Sequence, residues 1–379
     1  MLLFILLLSS LDEITTISSL EDNLKIYKVP ESITEITANF EGSTNTLQQI
    51  DFLGKKVKKL SPHIFMNCYL LNSINLENCA KLKMIPEHAF CNCSSLKSIK
   101  LPTNTRTIAR CAFFNCTSLM KIIFPQDSQL EYIMNDCFSY TSIVSFTIPF
   151  KVKSIAERSF RWCTKLRTFQ IDDNKYFSFE NSCLILKQIS TILTHAHADP
   201  NPIVTIPENV CGIYGYAFAG SNTEGFVFYN TAIQFYRQCF IDMPKIQHAD
   251  LSGANSFLIG SNIFENCTEL ITCILPKTQT YMSAGIFLNC SKLENVTLGR
   301  ICTSIGADMF TNCTRLKYVT CTRMIWKQIQ ENYNWTTMVP TIYPDILVRI
   351  IDITNYKCIA PFHCIRDEDY LLKNHKKIA

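Results

Sequence analysis

Apolar positions recur along most of this chain in one fixed arrangement. From Phe90 to Pro102 the sequence reads Phe-x-Asn-Cys-x-x-Leu-x-x-Ile-x-Leu-Pro. The arrangement returns at Phe113, Phe264, Phe287 and Phe310. Degenerate copies start at Phe65, Phe138, Phe160, Phe218 and Phe240, with a faint one at Phe40. Most successive phenylalanines lie roughly 22–25 residues apart, a spacing typical of repeats that bury their apolar faces only against neighbouring repeats. A second apolar column precedes each phenylalanine by five residues and includes Leu60, Ile85, Ile108, Ile133, Ile155, Ile213, Ile259 and Ile305. The pattern predicts a repeat solenoid, not the two or three separate domains that 379 residues would otherwise suggest.

Within one coil, Leu96, Ile99 and Leu101 end in alternation. That predicts a short strand with Ile99 and Leu101 turned inward and Ser98 and Lys100 outward. Pro102 closes the strand where a further backbone donor is unwanted. The return path brings Ile108 inward, and Ala112-Phe113 opens a tight helical or 3₁₀ turn on the outer side. Asn115-Cys116 forms the corner, because asparagine bonds nearby backbone groups and tolerates unusual backbone angles. Stacked coils pair their strands in parallel. The expected fold is a leucine-rich-repeat array with a parallel β-sheet on its concave face and short turns or 3₁₀ segments outside. At Phe138 and Phe218 the corner is one residue shorter, yet the strand pattern resumes after both.

Residues 1–29 form an N-terminal segment whose apolar run, Leu2 to Leu8, lacks a positive flank and reads as at most a weak secretory signal. The array is expected over 30–322, opening on an atypical repeat. Between Phe160 and Phe218 an insertion at about 172–207 interrupts it. Two apolar runs there, Cys183 to Leu186 and Thr191 to Thr194, flank a polar turn and predict a β-hairpin excursion from the array. Residues 323–379 are expected to form a C-terminal cap and a basic tail.

At these repeats the sequence resembles the BspA-like leucine-rich-repeat family, over roughly residues 30–322. The insertion is similar too, through Asn174, Phe177, Ser178, Leu184, Thr205, Ile206 and Pro207. The resemblance implies a surface antigen associated with adhesion to host proteins and cells, with a cell-surface or secreted location. The alternative is an intracellular scaffold of the same architecture, in the cytoplasm.

Composition changes this picture little. Hydrophobic residues make up 47% of the chain, enough for a continuous core, and a net charge of +4 points to no nucleic-acid partner. No stretch reaches the ~18 apolar residues of a membrane span. Nineteen cysteines suggest a disulfide scaffold until they are aligned. Cys68, Cys93, Cys116, Cys163, Cys267, Cys290 and Cys313 all stand three residues after a repeat phenylalanine, as small packing residues would. Most of the Asn-x-Ser/Thr sequons, including those at Asn92, Asn115, Asn266, Asn289 and Asn312, are generated by the same corner.

Candidate chemistry is sparse. His195, His197 and Asp199 alternate, and on one face of a strand two imidazoles and a carboxylate would suit zinc. A metal-dependent hydrolase is the reading this run offers; the rest of such a constellation is missing, and an exposed arm of the insertion is the plainer one. No cofactor, no metal and no catalysis are expected. The candidate surface is the outward side of the strands, where a protein partner of host or extracellular-matrix type would dock: Ser98, Lys100, Lys121, Ile123, Thr168, Gln170, Thr272, Ile274, Tyr318 and Thr320.

Overall fold

The computed structural model describes residues 16–327 and 347–351, apart from positions 172, 230–231, 257, 279–280, 300–303, 324 and 326. The chain is a parallel-strand β-solenoid, with almost no helix among the described residues. It divides into two compact units, Met1–Tyr176 and Phe177–Ala379.

The predicted strands form where the alternation places them. In the first unit, Ser98–Lys100 pairs in parallel with Lys121–Ile123, each residue opposite its equivalent one repeat later. Ser145–Ile148 pairs likewise with Thr168–Ile171, and Ile26–Val29, Gln49–Phe52 and Ser73–Asn75 form a three-stranded sheet. In the second unit, His248–Asp250, Thr272–Ile274, Asn295–Thr297 and Tyr318–Thr322 continue into Leu347–Ile351 as five parallel strands. The central residue of each short strand is buried and its neighbours face out, as at Ile99, Ile122, Cys273 and Val296.

The return path is itself a strand. The apolar column five residues before each phenylalanine lies in two-residue strands that pair in parallel from coil to coil. Met84–Ile85, Thr107–Ile108, Tyr132–Ile133 and Ser154–Ile155 are one four-stranded example. Proline sets the bend between the two strands of a coil. The carbonyls of Pro102, Pro125 and Pro149 each accept from the N–H three residues on, which closes a β-turn.

The outer wall consists of turns, not helix. His88, Phe90 and Asn92 donate their N–H groups to Arg110, Ala112 and Phe114 of the next coil, while Cys93 and Leu96 bond back within their own turn. Inside this wall the phenylalanines make a spine. Ring centroids of Phe65, Phe90, Phe113, Phe138 and Phe160 follow one another at 5.2–5.6 Å, and Phe240, Phe264, Phe287 and Phe310 at 5.2–6.0 Å. All but Phe310 are essentially inaccessible to solvent. Truncating such a ring to alanine costs about 3–5 kcal/mol through lost burial and the cavity left behind.

The corner cysteines are free, buried thiols. From Cys93 onward each donates its S–H to the carbonyl of the repeat phenylalanine one coil earlier: Cys93 to Phe65 at 3.1 Å, Cys116 to Phe90 at 2.9 Å, Cys290 to Phe264 and Cys313 to Phe287 at 3.0 Å. Cysteine fits because it is small and carries one weak donor. Burial pushes the Cys267 and Cys313 thiols up to about 12, so the ladder holds no thiolate at neutral pH.

The asparagines adopt the left-handed backbone, as at Asn92, Asn115 and Asn289 with φ of 62°, 57° and 63°. Their side chains do not mainly serve the backbone, as the sequence suggests. They bond to one another. Asn115 Nδ2 donates to Asn92 Oδ1 at 2.9 Å, Asn289 to Asn266 at 2.8 Å and Asn312 to Asn289 at 2.7 Å. An amide supplies one donor and one acceptor per coil, so the ladder extends without an unsatisfied step.

The insertion differs from the expected hairpin excursion. Cys183–Leu186 and Thr191–His195 do pair antiparallel, but Phe177–Glu180 adds a third strand, and Thr191–His195 pairs in parallel with Gly212–Ile213. The meander is therefore the first edge of the eight-stranded return sheet of the second unit. It does not project as an exposed arm: every residue from Thr191 to His195 is buried. A free hairpin would leave both apolar runs in water, whereas docking on the sheet edge covers them and supplies that edge with hydrogen bonds.

Candidate functional site

The outward strand residues lie in two columns on each unit. In the first unit Lys121 stands opposite Ser98 and Ile123 opposite Lys100, while Thr168 and Gln170 face Ser145 and Thr147. In the second, Thr272, Asn295 and Tyr318 form one row, and Ile274, Thr297 and Thr320 the other. All ten predicted residues point away from the core. Ser98, Lys100, Lys121, Gln170 and Ile274 are exposed, and Ile123, Thr168, Thr272, Tyr318 and Thr320 are half-buried by neighbouring coils.

Hydrogen bonds across coils order parts of this face. Thr147 Oγ1 donates to Gln170 Oε1 at 2.9 Å, and His248 Nδ1 lies 2.8 Å from Thr272 Oγ1. Lys100 pairs with Glu77 of the preceding coil. The columns are rich in short polar groups. Ile274, which is 38% exposed, interrupts it with an apolar contact.

Beside these columns in the first unit, where strands turn toward the return path, lies an open cleft of about 520 Å³ lined by Lys55, Asn75, Glu77, Lys100 and Thr103 among others. Lys55 sits outside the repeat template, so no alternation marks it in the sequence. Another cluster unsuspected from the sequence lies on the turn wall. There Tyr140 and Trp162 occupy the asparagine position with φ of 61° and 54°, and their rings stack at 4.7 Å. The Arg161 guanidinium lies over both rings, and Asp136 pairs with Arg158 and Arg161.

His195 and His197 are packing residues of the second unit. The strand ends at His195, so the alternation that would align His197 and Asp199 with it is broken. His195 stacks on Phe218 with centroids 4.8 Å apart, which gives it the phenylalanine place in its coil. Its Nδ1 lies 3.2 Å from Ser221 Oγ, and its Nε2 is buried without a hydrogen-bond partner. His197 presents both ring nitrogens to carbonyl oxygens, of His195 at 2.5 Å and Ala219 at 2.8 Å. Burial lowers both imidazoles, His195 down to about 3, and neutral His195 therefore prevails at physiological pH. Among the described residues, no group of three or more His, Cys, Asp or Glu gathers in a way that could hold a metal ion.

The BspA type leucine rich repeat region family matches the chain in six copies, over residues 12–130, 83–198 and 200–317. The chain belongs to this family. No curated protein matches it. Among solved structures it is similar to a leucine rich cell surface protein from Faecalibacterium prausnitzii A2-165, with 21% identity, a TM-score of 0.65, and coverage of 81% of this chain and 82% of that one. It is also similar to the pneumococcal vaccine antigen PcpA, with 18% identity, a TM-score of 0.61, and coverage of 82% and 75%. At these identities the likeness establishes the fold. No helix among the described residues is long and apolar enough to cross a membrane.

Proposed function

We propose that this chain is a non-enzymatic, protein-binding solenoid of the cell surface, an antigen or adhesin that captures a partner protein on its outward strand columns. The observation that carries the reading is the character of those columns. The repeat fixes their backbone, yet their side chains change from coil to coil: Ser98 and Lys100, Thr272 and Ile274, Tyr318 and Thr320. A regular, preorganised sheet with individually varied outward residues suits an extended protein surface, because its backbone loses no freedom on binding. Family membership and the likeness to a leucine rich cell surface protein support the location. A host or extracellular-matrix protein is the partner class this reading favours.

The triple variant Ile123→Asp, Ile274→Asp and Tyr318→Ala tests it. Binding of purified protein to intact host cells or matrix proteins is expected to fall at least tenfold while the thermal transition stays in place. Undiminished binding by the folded variant refutes the strand face as the site. Protease treatment of intact producing cells tests the location, since a surface protein is degraded and a cytoplasmic one is protected.

A further inference from the structure

The return path of the first unit carries a charge pattern that the second unit lacks. Lys56-Val57-Lys58, Lys81-Leu82-Lys83 and Lys151-Val152-Lys153 each set a lysine on either side of a buried residue at the entry to a return strand. Lys55, Lys59 and Arg106 join them. Over the positions ten to four residues before Phe65, Phe90, Phe113, Phe138 and Phe160, the one acid is Glu131. Widening the count to the bordering positions and the opening coil adds Arg110 and the acids Glu31, Glu35, Glu87, Asp127 and Glu157, which leaves ten cations against six acids. Lys58 and Lys59 pair with Glu35 and Lys153 with Glu131, and these acids are in the count. The same positions before the phenylalanines from Phe218 to Phe310 hold two cations, Lys277 and Arg300, and one acid, Glu208.

Apolar side chains stand in water among these cations. Met84, Tyr132, Met134 and Phe150 are 41–52% exposed. Met84, Thr107 and Tyr132 share one outward row of the four-stranded return sheet. Met134 follows Tyr132 on the same side, at the position held by Ala109 and Ala156 in the adjacent coils. Lys153 Nζ lies 6.0 Å from the centre of the Tyr132 ring, and Lys151 Nζ 5.6 Å from that of Phe150.

We infer that the return face of the first unit rests on an anionic lipid bilayer. Its lysines and Arg106 meet the phosphate and carboxylate head groups, and Met84, Tyr132, Met134 and Phe150 enter the boundary between head groups and acyl chains. Holding a protein on such a surface takes both electrostatic attraction and buried apolar area, and this face supplies the two together. A sulfated polysaccharide or a nucleic acid answers the cations alone and leaves four apolar side chains in water. An uncharged protein groove answers the apolar side chains and strips water from lysines it cannot pair. Aromatic rings with ammonium groups alongside suit the head-group layer, where an apolar body meets a polar tip. Methionine, unbranched and flexible, adapts to chains that have no fixed shape. The return strands are not the strands proposed above for a protein partner, so the inference does not rest on that reading.

The test is co-sedimentation of the full chain with vesicles of phosphatidylcholine, alone or with roughly 30% phosphatidylserine. Binding to the anionic vesicles is expected to be at least tenfold tighter, and to weaken as salt rises from roughly 50 to 300 mM. Lys81→Glu with Lys83→Glu should lower it at least tenfold, and Met84→Ser with Met134→Ser at least threefold. Lys245→Glu with Lys277→Glu makes the same charge change on exposed lysines of the second unit and should leave binding unchanged. All of these side chains are exposed, so each variant keeps the thermal transition of the wild type. Equal binding to the two kinds of vesicle overturns the inference. So does an equal loss in the second-unit variant, which would trace binding to net charge and not to this face. Vesicle binding that survives the methionine variant, while a sulfated oligosaccharide competes it away, reassigns the face to polyanions and overturns it as well.

Discussion

Acid should loosen the start of the second unit, and His195 sets the size of the effect. In the unfolded chain its imidazole takes up a proton near pH 6.5; in the fold, burial lowers that to about 3. The folded state therefore binds fewer protons than the unfolded one throughout this window. Its contribution to stability is complete above pH 6.5 and is lost as the pH falls toward 3. Linkage puts the loss at about 2 kcal/mol at pH 5 and about 3 kcal/mol at pH 4, relative to pH 8. His197, also lowered chiefly by burial, adds in the same direction. Hydrogen exchange of peptides spanning Cys183 to His195 reads the effect locally, which matters because coils of a solenoid need not unfold together. Protection there, corrected for intrinsic exchange, is expected to drop about thirtyfold between pH 8 and pH 5, the equivalent of ~2 kcal/mol. His195→Phe supplies the control. The residue occupies the phenylalanine place against Phe218, and Ser221 keeps Thr223 as a partner 2.8 Å away. This variant should lose about 2 kcal/mol of the acid sensitivity while still folding. An identical pH profile in the variant would show that His195 does not titrate as its burial requires.

Two further outcomes concern the ladders. Cysteine-reactive reagents should label Cys211, which is exposed, in the native protein, but Cys93, Cys116 and Cys290 only after denaturation; non-reducing mass spectrometry that finds these three bridged would refute the thiol ladder. Asn289→Ala removes two ladder bonds and the amide that makes asparagine tolerant of φ 63°, which should cost about 2–4 kcal/mol, whereas Asn289→Gly, free of a β-carbon, should recover about 1 kcal/mol of it. Equal losses for the two, measured by urea unfolding, would mean that the backbone angle does not contribute.

The strands were legible because their signal is local. Alternation over three or four residues marked Ser98–Lys100, Lys121–Ile123 and Thr272–Ile274, and those spans are the ones that pair. The return strands were hidden because two residues cannot display a period of two; Ile108 and Ile133 showed only that something inward recurred. The asparagine ladder was hidden for a different reason. The partner of Asn115 is Asn92, a full coil away, and isolated corners suggest local backbone bonds instead. The insertion misled because its two apolar runs do form a hairpin, while the parallel pairing of Thr191–His195 with Gly212–Ile213 depends on register alone. The outward residues of the proposed site were legible and the cleft beside them was not, since Lys55 comes to it from a turn that the template does not govern.

The departures from the template show what each column must supply. Where cysteine is missing after Phe138, Thr141 Oγ1 donates to the Phe138 carbonyl at 2.8 Å and contacts Cys163 Sγ at 3.4 Å. Where it is missing after Phe218, Ser221 Oγ faces His195. A small hydroxyl thus replaces the thiol. Where asparagine is missing, the left-handed angle persists at Tyr140, Trp162 and Gly220, and stacked rings or the absence of a β-carbon take the place of the amide ladder. After Phe240 the cysteine place is taken by Met243, which is buried and brings no donor, so that column requires burial at every coil and a donor at most of them. The outward strand columns obey no such rule, passing through Ser98, Lys121, Thr168, Thr272 and Tyr318 on one backbone. Folding constrains those positions least, which is why a search for what distinguishes this solenoid in binding belongs there.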